Sequence, residues 1–341
     1  MMNILVTGGA GYIGSHTALQ LLEQGYDVHI IDDLSNSSYE VITRIEKLSG
    51  RELTFSQGSV LDTQWLKQIM AQGSFDAVIH FAALKAVNES VEKPLQYYQT
   101  NVCGTLSLCE AMQSVGVGKL VFSSSAAVYG DAEKMPLSEE SPLQTPLTPY
   151  GRTKLMAEQI LSDIAAASDN WNVVLLRYFN PVGAHESGEI GEDLSQEPTN
   201  LMPIVMQVAS GQKEQLSIFG NDYPTKDGSG VRDFIHVQDL ASGHVKAIEH
   251  LNRRVQQQRL SVFNLGTGKG YSVKELVRAF EKQSGKRIEC VLAERRSGDI
   301  AMSWADSSKA ERELNWKATR NLNDMCTDAW RWYCQYPDGF K

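Results

Sequence analysis

The first half of the chain alternates short apolar runs with stretches in which apolar residues recur at helical spacing. Residues 3–6 form an apolar run before a glycine-rich turn, residues 15–24 are amphipathic, and residues 27–31 form a second apolar run. Three further apolar runs, separated by helix-length segments, lie at residues 77–83, 120–123 and 173–178. Short apolar runs bounded by turns predict buried strands, and three- to four-residue recurrence predicts helices. The pattern predicts an α/β fold built on a Rossmann-type, doubly wound parallel sheet.

The second half differs in its composition and in its predicted elements. Residues 183–200 are rich in Gly, Glu, Asp and Ser, which predicts a long loop, and loops of this length in compact domains are often lids or binding segments. Short strands are predicted at 216–219 and 262–265. Ser272 followed by Glu275 is a capping-box pattern, which begins a helix that Gly285 ends.

The length of the chain, 341 residues, favours two domains over a single core. The change in composition after Pro181 places the boundary between the two domains there. We therefore expect a dinucleotide-binding domain over residues 1–180 and a smaller mixed α/β substrate domain over residues 181–341, with the chain able to cross between them.

Composition excludes several classes of function. The net charge of −9 argues against binding to nucleic acid or to an anionic membrane surface. No apolar run approaches the length of a membrane span, and no secretory signal precedes the first strand. The five cysteines are odd in number and lack C-x-x-C spacing, so we expect reduced thiols and a cytoplasmic location. The histidines are scattered without an H-E-x-x-H pattern, and no metal site is predicted.

A glycine-rich turn between the first predicted strand and helix indicates a dinucleotide site. Gly8, Gly11 and Gly14 are spaced G-x-x-G-x-x-G, which permits a tight turn and close approach of the backbone to a pyrophosphate. Asp32 ends the second predicted strand, where a carboxylate accepts hydrogen bonds from the adenosine ribose and repels a 2′-phosphate. We therefore expect NAD as the cofactor; the alternative is an acidic turn that is simply solvated.

A second motif can assemble a base. Pro149 suits the first turn of a helix, which places Tyr150 and Lys154 four residues apart on one face. An ammonium group beside a phenol favours the phenolate, and lowering the phenol pKa by about three units requires roughly 4 kcal/mol. We expect Lys154, together with a positively charged nicotinamide ring, to supply this shift. Taken alone, the same spacing is common in surface pairs.

Small or polar residues follow each predicted strand, as the ligand-binding edge of a parallel sheet requires. These stretches are residues 58–60, 81–85, 123–125 and 178–181. For each of them alone, a turn that merely needs small residues is an equal alternative.

Several longer motifs give the chain a specific resemblance. These are residues 6–16, 80–87, 176–184, 200–203, 220–225 and 230–237. Across residues 3–332 the chain resembles the UDP-glucose 4-epimerases (UDP-galactose 4-epimerases) of the extended short-chain dehydrogenase/reductases. The resemblance implies an isomerase that holds NAD permanently, acts on UDP-sugars and forms a homodimer.

The resemblance also implies a mechanism, namely inversion at C4 of UDP-hexoses through a transient 4-keto sugar. Tyr150, as phenolate, removes the proton of the 4-hydroxyl while hydride leaves C4 for NAD. Lys154 holds the phenolate and bonds the nicotinamide ribose, and Ser125 hydrogen-bonds the reacting oxygen. The keto sugar then turns over while its nucleotide stays anchored, so that hydride returns to the opposite face.

Two sets of binding residues follow from the same matching. The expected cofactor contacts are Gly8, Gly11, Tyr12, Ile13, Gly14, Asp32, Asp33, Leu34, Ser35, Asn36, Ser37, Ser59, Val60, Phe81, Ala82, Ala83, Leu84, Lys85, Thr100, Ser125, Tyr150, Lys154 and Phe179. The expected substrate contacts are Lys85, Ser125, Tyr150, Asn180, Asn200, Leu201, Ser217, Ile218, Phe219, Arg232, Arg296, Asp299 and Ser303. Arg232 and Arg296 are assigned to the diphosphate, because guanidinium groups match phosphate geometry. Residues 217–219 are expected beside the uracil and Asp299 near its ribose; for Arg296, a solvated surface position is the alternative.

The chain departs from the family pattern at two positions. Ser59 stands where the family often has an Asp that contacts adenine, so a weaker adenine contact is expected. Ser303, predicted on a loop, stands where members restricted to plain hexoses tend to have Tyr. A small residue there leaves room for an acetamido group, so UDP-N-acetylglucosamine and UDP-N-acetylgalactosamine are expected as further substrates.

Two other functions are compatible with the same fold. A nucleotide-sugar 4,6-dehydratase or decarboxylase needs an acid or base after the ketone forms, and relatives of that kind place a carboxyl group just after the strand-end Ser or Thr. Here Ala126 and Ala127 follow Ser125, which argues against this reading. A non-catalytic NAD-binding sensor would tend to lose Tyr150 or Lys154, and this chain keeps both.

Overall fold

The structure is a computed structural model that describes residues 2–195, 198–253, 258–296 and 298–340. Helices and strands alternate along the first half of the chain and mix with short two- and three-residue strands in the second. In chain order they are β1 (Asn3–Thr7), α1 (Tyr12–Glu23), β2 (Asp27–Asp32), α2 (Glu40–Ser49), β3 (Thr54–Gln57), α3 (Thr63–Gln72), β4 (Ala77–His80), α4 (Val87–Glu92), α5 (Pro94–Tyr98), a π turn (Gln99–Cys103), α6 (Gly104–Ser114), β5 (Lys119–Ser125), a 3-10 turn (Ala126–Tyr129), α7 (Pro149–Ala167), β6 (Asn172–Tyr178), β7 (Asn180–Val182), α8 (Leu201–Ser210), β8 (Leu216–Phe219), β9 (Val231–Arg232), β10 (Phe234–His236), α9 (Val237–Leu251), β11 (Leu260–Leu265), β12 (Tyr271–Ser272), α10 (Val273–Ser284), β13 (Cys290–Ala293), β14 (Met302–Ser303), α11 (Ser308–Leu314) and α12 (Leu322–Gln335).

The described residues form a seven-stranded sheet in the order β11-β6-β5-β4-β1-β2-β3, with every neighbouring pair parallel. Side chains of β1 alternate between two cores. Ile4 and Val6 pack with α1 and α9 on one face, and Leu5 packs with α3, α6 and α7 on the other. This two-residue alternation buries both faces of the sheet, as a doubly wound fold requires. The predicted fold class is confirmed.

The strand order reverses at β1, which lies between β2 and β4. In open parallel sheets the crevice outside the carboxyl ends of the strands at such a reversal is the usual ligand site. The glycine-rich turn follows β1 at this point, Asp32 ends β2, and Ser125 ends β5 on the same edge. The fold therefore brings together side chains that are far apart in sequence.

A further hydrophobic core lies among α8, α10 and α12, where Met206, Leu276 and Met325 are buried. The capping box predicted for α10 is present, since the Ser272 side chain accepts from Glu275 N and the Glu275 side chain accepts from Ser272 N. Gly285 ends this helix in the left-handed conformation, with φ 66°. These local signals were sufficient to predict both ends of α10.

The domain boundary expected near residue 180 remains a prediction. Strand β11 lies beyond it in sequence but pairs with β6 in the main sheet, and α9 packs against α1. A division into domains therefore has to assign these two elements to the first one, and the expected crossing of the chain between domains also stays a prediction.

Two of the element boundaries that differ from the predicted ones do so for local reasons. The run predicted at 77–83 ends as a strand at His80, because the amides of Phe81 and Ala82 both turn to donate to Thr7 O. Helix α1 begins at Tyr12 rather than at residue 15, directly after the glycine-rich turn.

The long loop predicted at 183–200 contains no helix or strand in its described part, and its residues 196 and 197 lie outside the described residues. Among the helices that the structure describes, none has the length and apolar character needed to cross a lipid bilayer.

Candidate active site

The glycine-rich turn brings the start of α1 against the end of β4. Gly8 has φ +69°, and a Cβ atom there would lie 2.6 Å from Ala82 N. A Cβ atom on Gly14 would lie 2.2 Å from Gly8 O. Both positions therefore require glycine, and the turn exposes the N-terminus of α1, where unpaired amides favour a phosphate.

Asp32 is buried at the end of β2, with 7% of its surface exposed. Its carboxylate accepts hydrogen bonds from Ala10 N at 3.0 Å, Leu34 N at 3.0 Å and Ser37 Oγ at 2.9 Å. Burial raises its pKa, and these three bonds act in the opposite direction. The solvated acidic turn considered from the sequence is thus wrong for Asp32. The carboxylate joins the glycine turn to the loop after β2 and keeps lone pairs for a ribose hydroxyl.

Helix α7 carries the candidate base. Thr148 caps it by accepting from Gly151 N, and Pro149 occupies its first turn, as predicted. Tyr150 and Lys154 both lie on its buried face, with 8% and 4% of their surfaces exposed. The Lys154 ammonium donates to Ser123 O at 2.8 Å, which fixes it beside the end of β5.

Burial is the largest influence on the pKa values of both groups. Burial raises the pKa of the Tyr150 phenol, and a hydrogen bond with the Ser125 hydroxyl lowers it only in part. Desolvation of the enclosed phenol thus outweighs the effect of Ser125 among the protein's own groups, and the lowering expected from Lys154 together with a nicotinamide ring stays a prediction. Burial also lowers the pKa of Lys154 to about 8, against the opposing effect of Glu158.

A buried ion pair lies below these residues. Glu158, one helical turn beyond Lys154, accepts from Arg177 Nη2 at 2.6 Å and Nε at 3.0 Å, and also from the Ser124 hydroxyl. The remaining guanidinium nitrogen, Arg177 Nη1, donates to the Tyr129 hydroxyl at 3.2 Å. The pair ties α7 to strands β5 and β6 directly beneath Ser125 and Tyr150.

A second charged cluster contains the residues assigned to the diphosphate. Asp299 accepts from Arg296 Nε at 2.9 Å and lies 4.0 Å from Arg232 Nη2. The Arg296 guanidinium also lies 4.7 Å from the centre of the Phe219 ring. The structure therefore brings together four residues of the predicted nucleotide site, from three separate segments of the chain.

The remaining cofactor candidates lie along the same edge of the sheet. They follow β2 (33–37), β3 (Ser59, Val60), β4 (81–85) and β6 (Phe179), occupy the π turn (Thr100) or begin α1 (Tyr12, Ile13). The remaining substrate candidates are Asn180 in β7, Asn200 and Leu201 at the start of α8, and Ser217, Ile218 and Phe219 in β8. Ser59 accepts from Leu61 N at 3.3 Å before α3, and the Leu34 backbone has φ 59°.

Comparison with known proteins identifies the family. The family model described as GDP-mannose 4,6 dehydratase matches residues 5–329. A UDP-glucose 4-epimerase of Bacillus subtilis (strain 168) is 56% identical over 340 residues, covering 100% of this chain and 99% of that protein. The chain belongs to the UDP-glucose 4-epimerase family.

Solved structures agree with this assignment. A UDP-glucose-4-epimerase from Stenotrophomonas maltophila, crystallised with bound NAD and formylated UDP-arabinopyranose, is 50% identical with a TM-score of 0.95 and covers 99% of both chains. The UDP-Glc/GlcNAc 4-epimerase from Campylobacter jejuni is 39% identical with a TM-score of 0.85, covering 98% of this chain and 100% of that one. The resemblance stated from the sequence motifs is confirmed.

The residues that follow β5 argue against the dehydratase alternative. Ala126 and Ala127 begin the 3-10 turn directly after Ser125, and Ala127 N donates to Ser125 Oγ at 3.2 Å. Methyl groups therefore occupy the two positions where the dehydratase reading needs a carboxyl group. This arrangement suits inversion at C4 better than elimination of water.

The position of Ser303 differs from the prediction. It lies in strand β14, in register with Arg232 of β9, and not on a loop. The strand forms because Asp233 N donates to Ser303 O at 2.9 Å and Val231 N donates to Ala301 O. Ser303 is buried beside an arginine assigned to the diphosphate, which keeps it close to the expected substrate.

Two residues of the site received no role from the sequence. The Tyr223 hydroxyl is buried without a hydrogen-bond partner among the residues that the structure describes, and it interacts electrostatically with Asp299 and with Arg232. Glu192 accepts from both Lys85 and Asn200. Tyr223 lies in the motif 220–225, on which part of the family resemblance rests. Its place in that motif could have indicated that Tyr223 belongs to the site. Glu192 lies in the predicted loop, where one acidic residue among several gave no signal.

Proposed function

We propose that this protein is an isomerase that inverts C4 of UDP-hexoses, interconverting UDP-glucose and UDP-galactose through a 4-keto sugar with bound NAD. The observation that carries the proposal is the burial of Tyr150 and Lys154 on one face of α7, with Lys154 bonded to Ser123 O near the end of β5, where Ser125 lies at the same edge of the sheet as the glycine turn. Family membership and the NAD and UDP-sugar bound by the relative from Stenotrophomonas maltophila support it.

The residues at the edge of the sheet fit NAD. The Gly8 and Gly14 positions admit no Cβ atom, so the backbone can approach a pyrophosphate. Asp32 is held by three donors at the place where an adenosine ribose would lie, and its negative charge disfavours a 2′-phosphate. Bound NAD supplies a hydride acceptor and a positively charged ring.

Tyr150 acts as the base on the 4-hydroxyl of the sugar and, on the return, as the acid. Burial by itself holds its pKa high, so the positive charge of the ring and of Lys154 must favour the phenolate. Ser125 keeps the reacting oxygen within hydrogen-bond reach of the phenol. Lys154, fixed by its bond to Ser123 O, keeps its ammonium group at a constant place beside the ribose.

Tight anchoring of the nucleotide allows the keto sugar to turn over without leaving. Arg232 and Arg296 hold the diphosphate, since guanidinium groups present paired donors to phosphate oxygens. In the structure both face Asp299. The diphosphate then shares these two arginines with a carboxylate that lies near the uridine ribose.

Incubation with UDP-galactose followed by sugar analysis tests the function. Epimerisation yields UDP-glucose of unchanged mass, whereas a dehydratase product is lighter by one water. A decarboxylase releases carbon dioxide only from a sugar that carries a C6 carboxylate, so a UDP-hexuronic acid is assayed in parallel. The absence of any conversion would favour the NAD-binding sensor.

We propose further that the substrate range includes UDP-N-acetylglucosamine and UDP-N-acetylgalactosamine. The small side chain of Ser303 supports this, because it leaves the volume that a phenol ring would fill. Ser303→Tyr is expected to lower kcat/KM for the N-acetylated sugars by about tenfold or more relative to the plain hexoses, through steric exclusion. The check is side-by-side kinetics with UDP-galactose and UDP-N-acetylgalactosamine, with Ser303→Ala as the small-residue control. An unchanged ratio in Ser303→Tyr would contradict this substrate range.

We also propose that the protein is a homodimer. Large apolar side chains are exposed on neighbouring helices: Val91 of α4 is 60% exposed, Leu95 of α5 84%, Leu106 of α6 40% and Met156 of α7 41%. Helix α7 packs against both α4 and α5, so Val91, Leu95 and Met156 lie on adjoining helices. Apolar patches of this kind commonly mark protein–protein contacts.

The dimer proposal predicts a change in mass in solution. Leu95→Glu is expected to convert the dimer to a monomer, because a carboxylate would be buried at the contact without a partner. Light scattering after size-exclusion chromatography measures this. Leu292→Glu, at an exposed leucine of β13, is the control and should leave the dimer intact. A dimeric Leu95→Glu protein would place the contact elsewhere.

A cytoplasmic location remains part of the proposal. All five cysteines are free thiols, three of them exposed, which suits a reducing compartment. Fractionation of cells that express the protein would test it.

A further inference from the structure

One carboxylate joins two residues that were assigned to opposite sides of the reaction. Glu192 Oε1 accepts from Lys85 Nζ at 2.9 Å and from Asn200 Nδ2 at 3.1 Å. Lys85 follows strand β4, next to the glycine turn, and Asn200 precedes α8 in the second half of the chain. The carboxylate therefore lies between the part of the chain that would hold the cofactor and a part that would hold the sugar.

The backbone that presents this carboxylate is firmly anchored. Glu192 O accepts from Trp332 Nε1 at 2.9 Å, and Trp332 is buried in the body of the protein. A Cβ atom on Gly191 would lie 2.5 Å from Trp332 Cγ, so only glycine allows the loop to approach the indole this closely. Although Glu192 belongs to a long loop, its position is thus set by rigid packing.

The charge of Glu192 also reaches the start of α1. Together with burial, it raises the pKa of Tyr12, whose hydroxyl donates to Gly183 O at 2.6 Å. The Lys85 ammonium lies 5.7 Å from the centre of the Tyr12 ring. Glu192 consequently faces three candidate binding residues, which come from three different elements.

We propose that Glu192 is a positioning residue, which holds Lys85 and Asn200 in register so that the cofactor and the sugar meet in the correct alignment. It acts through these two side chains and touches no reacting atom. The inference rests on the proposed function. Without the carboxylate, the long Lys85 side chain would sample many rotamers, and only a fraction of them would be productive.

The surroundings of the ion pair indicate where its effect will be seen. The Lys85 side chain is 51% exposed and that of Glu192 17% exposed. Ion pairs that are partly exposed contribute little to folding stability. Loss of the pair should therefore appear in the kinetics and leave the thermal unfolding midpoint nearly unchanged, which separates positioning from a structural role.

The test is Glu192→Gln, which keeps the shape and an acceptor for Asn200 but removes the negative charge from Lys85. We expect kcat/KM for UDP-galactose to fall about tenfold, by an effect on both KM and kcat. Glu186→Gln, in an exposed part of the same loop, is the control and should match the wild type. The NAD content of each purified protein should also be measured.

A double-mutant cycle with Lys85→Met shows whether Glu192 acts through Lys85. If it does, Glu192→Gln lowers kcat/KM by less than about twofold in the Lys85→Met background. An equal tenfold loss in both backgrounds, or a Glu192→Gln enzyme as active as the wild type, would overturn the inference while the proposed function stands. A wild-type protein that does not convert UDP-galactose would overturn both.

Discussion

Replacement of Tyr150 by Phe is expected to lower kcat for the interconversion of UDP-glucose and UDP-galactose roughly 10²–10⁴-fold. The substitution removes only the phenol oxygen, which is the atom that takes the proton of the 4-hydroxyl. The ring still fills the buried space on α7, so folding and the retention of NAD should be preserved. Kinetics and the NAD content of the purified protein measure these two quantities.

Tyr333→Phe provides a matched control for this prediction. Tyr333 is also buried, and its hydroxyl lies 2.6 Å from Ser210 Oγ in the core formed with α8. It is a tyrosine of similar burial that plays no part in the proposed chemistry, so its loss should leave kcat unchanged. Full activity in Tyr150→Phe would remove the base from the mechanism.

The second large effect is expected on stability. Glu158→Gln should lower the free energy of unfolding by about 3–5 kcal/mol, because it leaves the buried Arg177 guanidinium without a counter-charge. The side chains of both partners are almost completely buried, at 6% exposed for Arg177 and 4% for Glu158. Urea unfolding followed by fluorescence measures the change.

Two further variants make the stability prediction specific. Glu249→Gln breaks the partly exposed ion pair with Lys246, which should cost no more than about 1 kcal/mol. Replacing both Glu158 and Arg177 by apolar residues should be less harmful than Glu158→Gln alone, since no unpaired charge then remains buried. Equal losses for Glu158→Gln and Glu249→Gln would show that the buried pair has no special role.

The parts of the site that sequence alone could predict are those that depend on local backbone geometry. The spacing of Gly8 and Gly14 follows from a turn that excludes Cβ atoms, and Pro149 marks the first turn of α7. The capping box at Ser272 likewise involves residues three positions apart. In each case the residues that determine the backbone geometry lie within a few positions of each other, so the sequence pattern was sufficient to predict it.

Sequence reasoning failed where the cause is long-range. Ser303 lies in a strand because β9, some distance earlier in the chain, supplies its partner, and two residues carry no strand pattern of their own. The raised pKa of Tyr150 depends on how completely the fold encloses the phenol. Spacing along a helix predicts which residues are neighbours, but it does not predict their desolvation.

The same limit applies to the boundary between domains. Strand β11 lies at the edge of the main sheet, beside β6, although strands β7 to β10 of other sheets come between them in the chain. The apolar run of β11 does not distinguish it from the strands of those other sheets. The pairing of β11 with β6 and the packing of α9 against α1 both join segments far apart in the chain, which no local pattern records.

The contact between Trp332 and the loop at Gly191 has a consequence for how the protein matures. The indole belongs to the last helix, and Arg44 of α2 packs against both Trp332 and Tyr336 of that helix. During synthesis the sheet and the glycine turn can form early, but the loop at Gly191 lacks the indole that it packs against until α12 has left the ribosome. A nascent chain should therefore be able to take up its dinucleotide well before it can turn over a sugar.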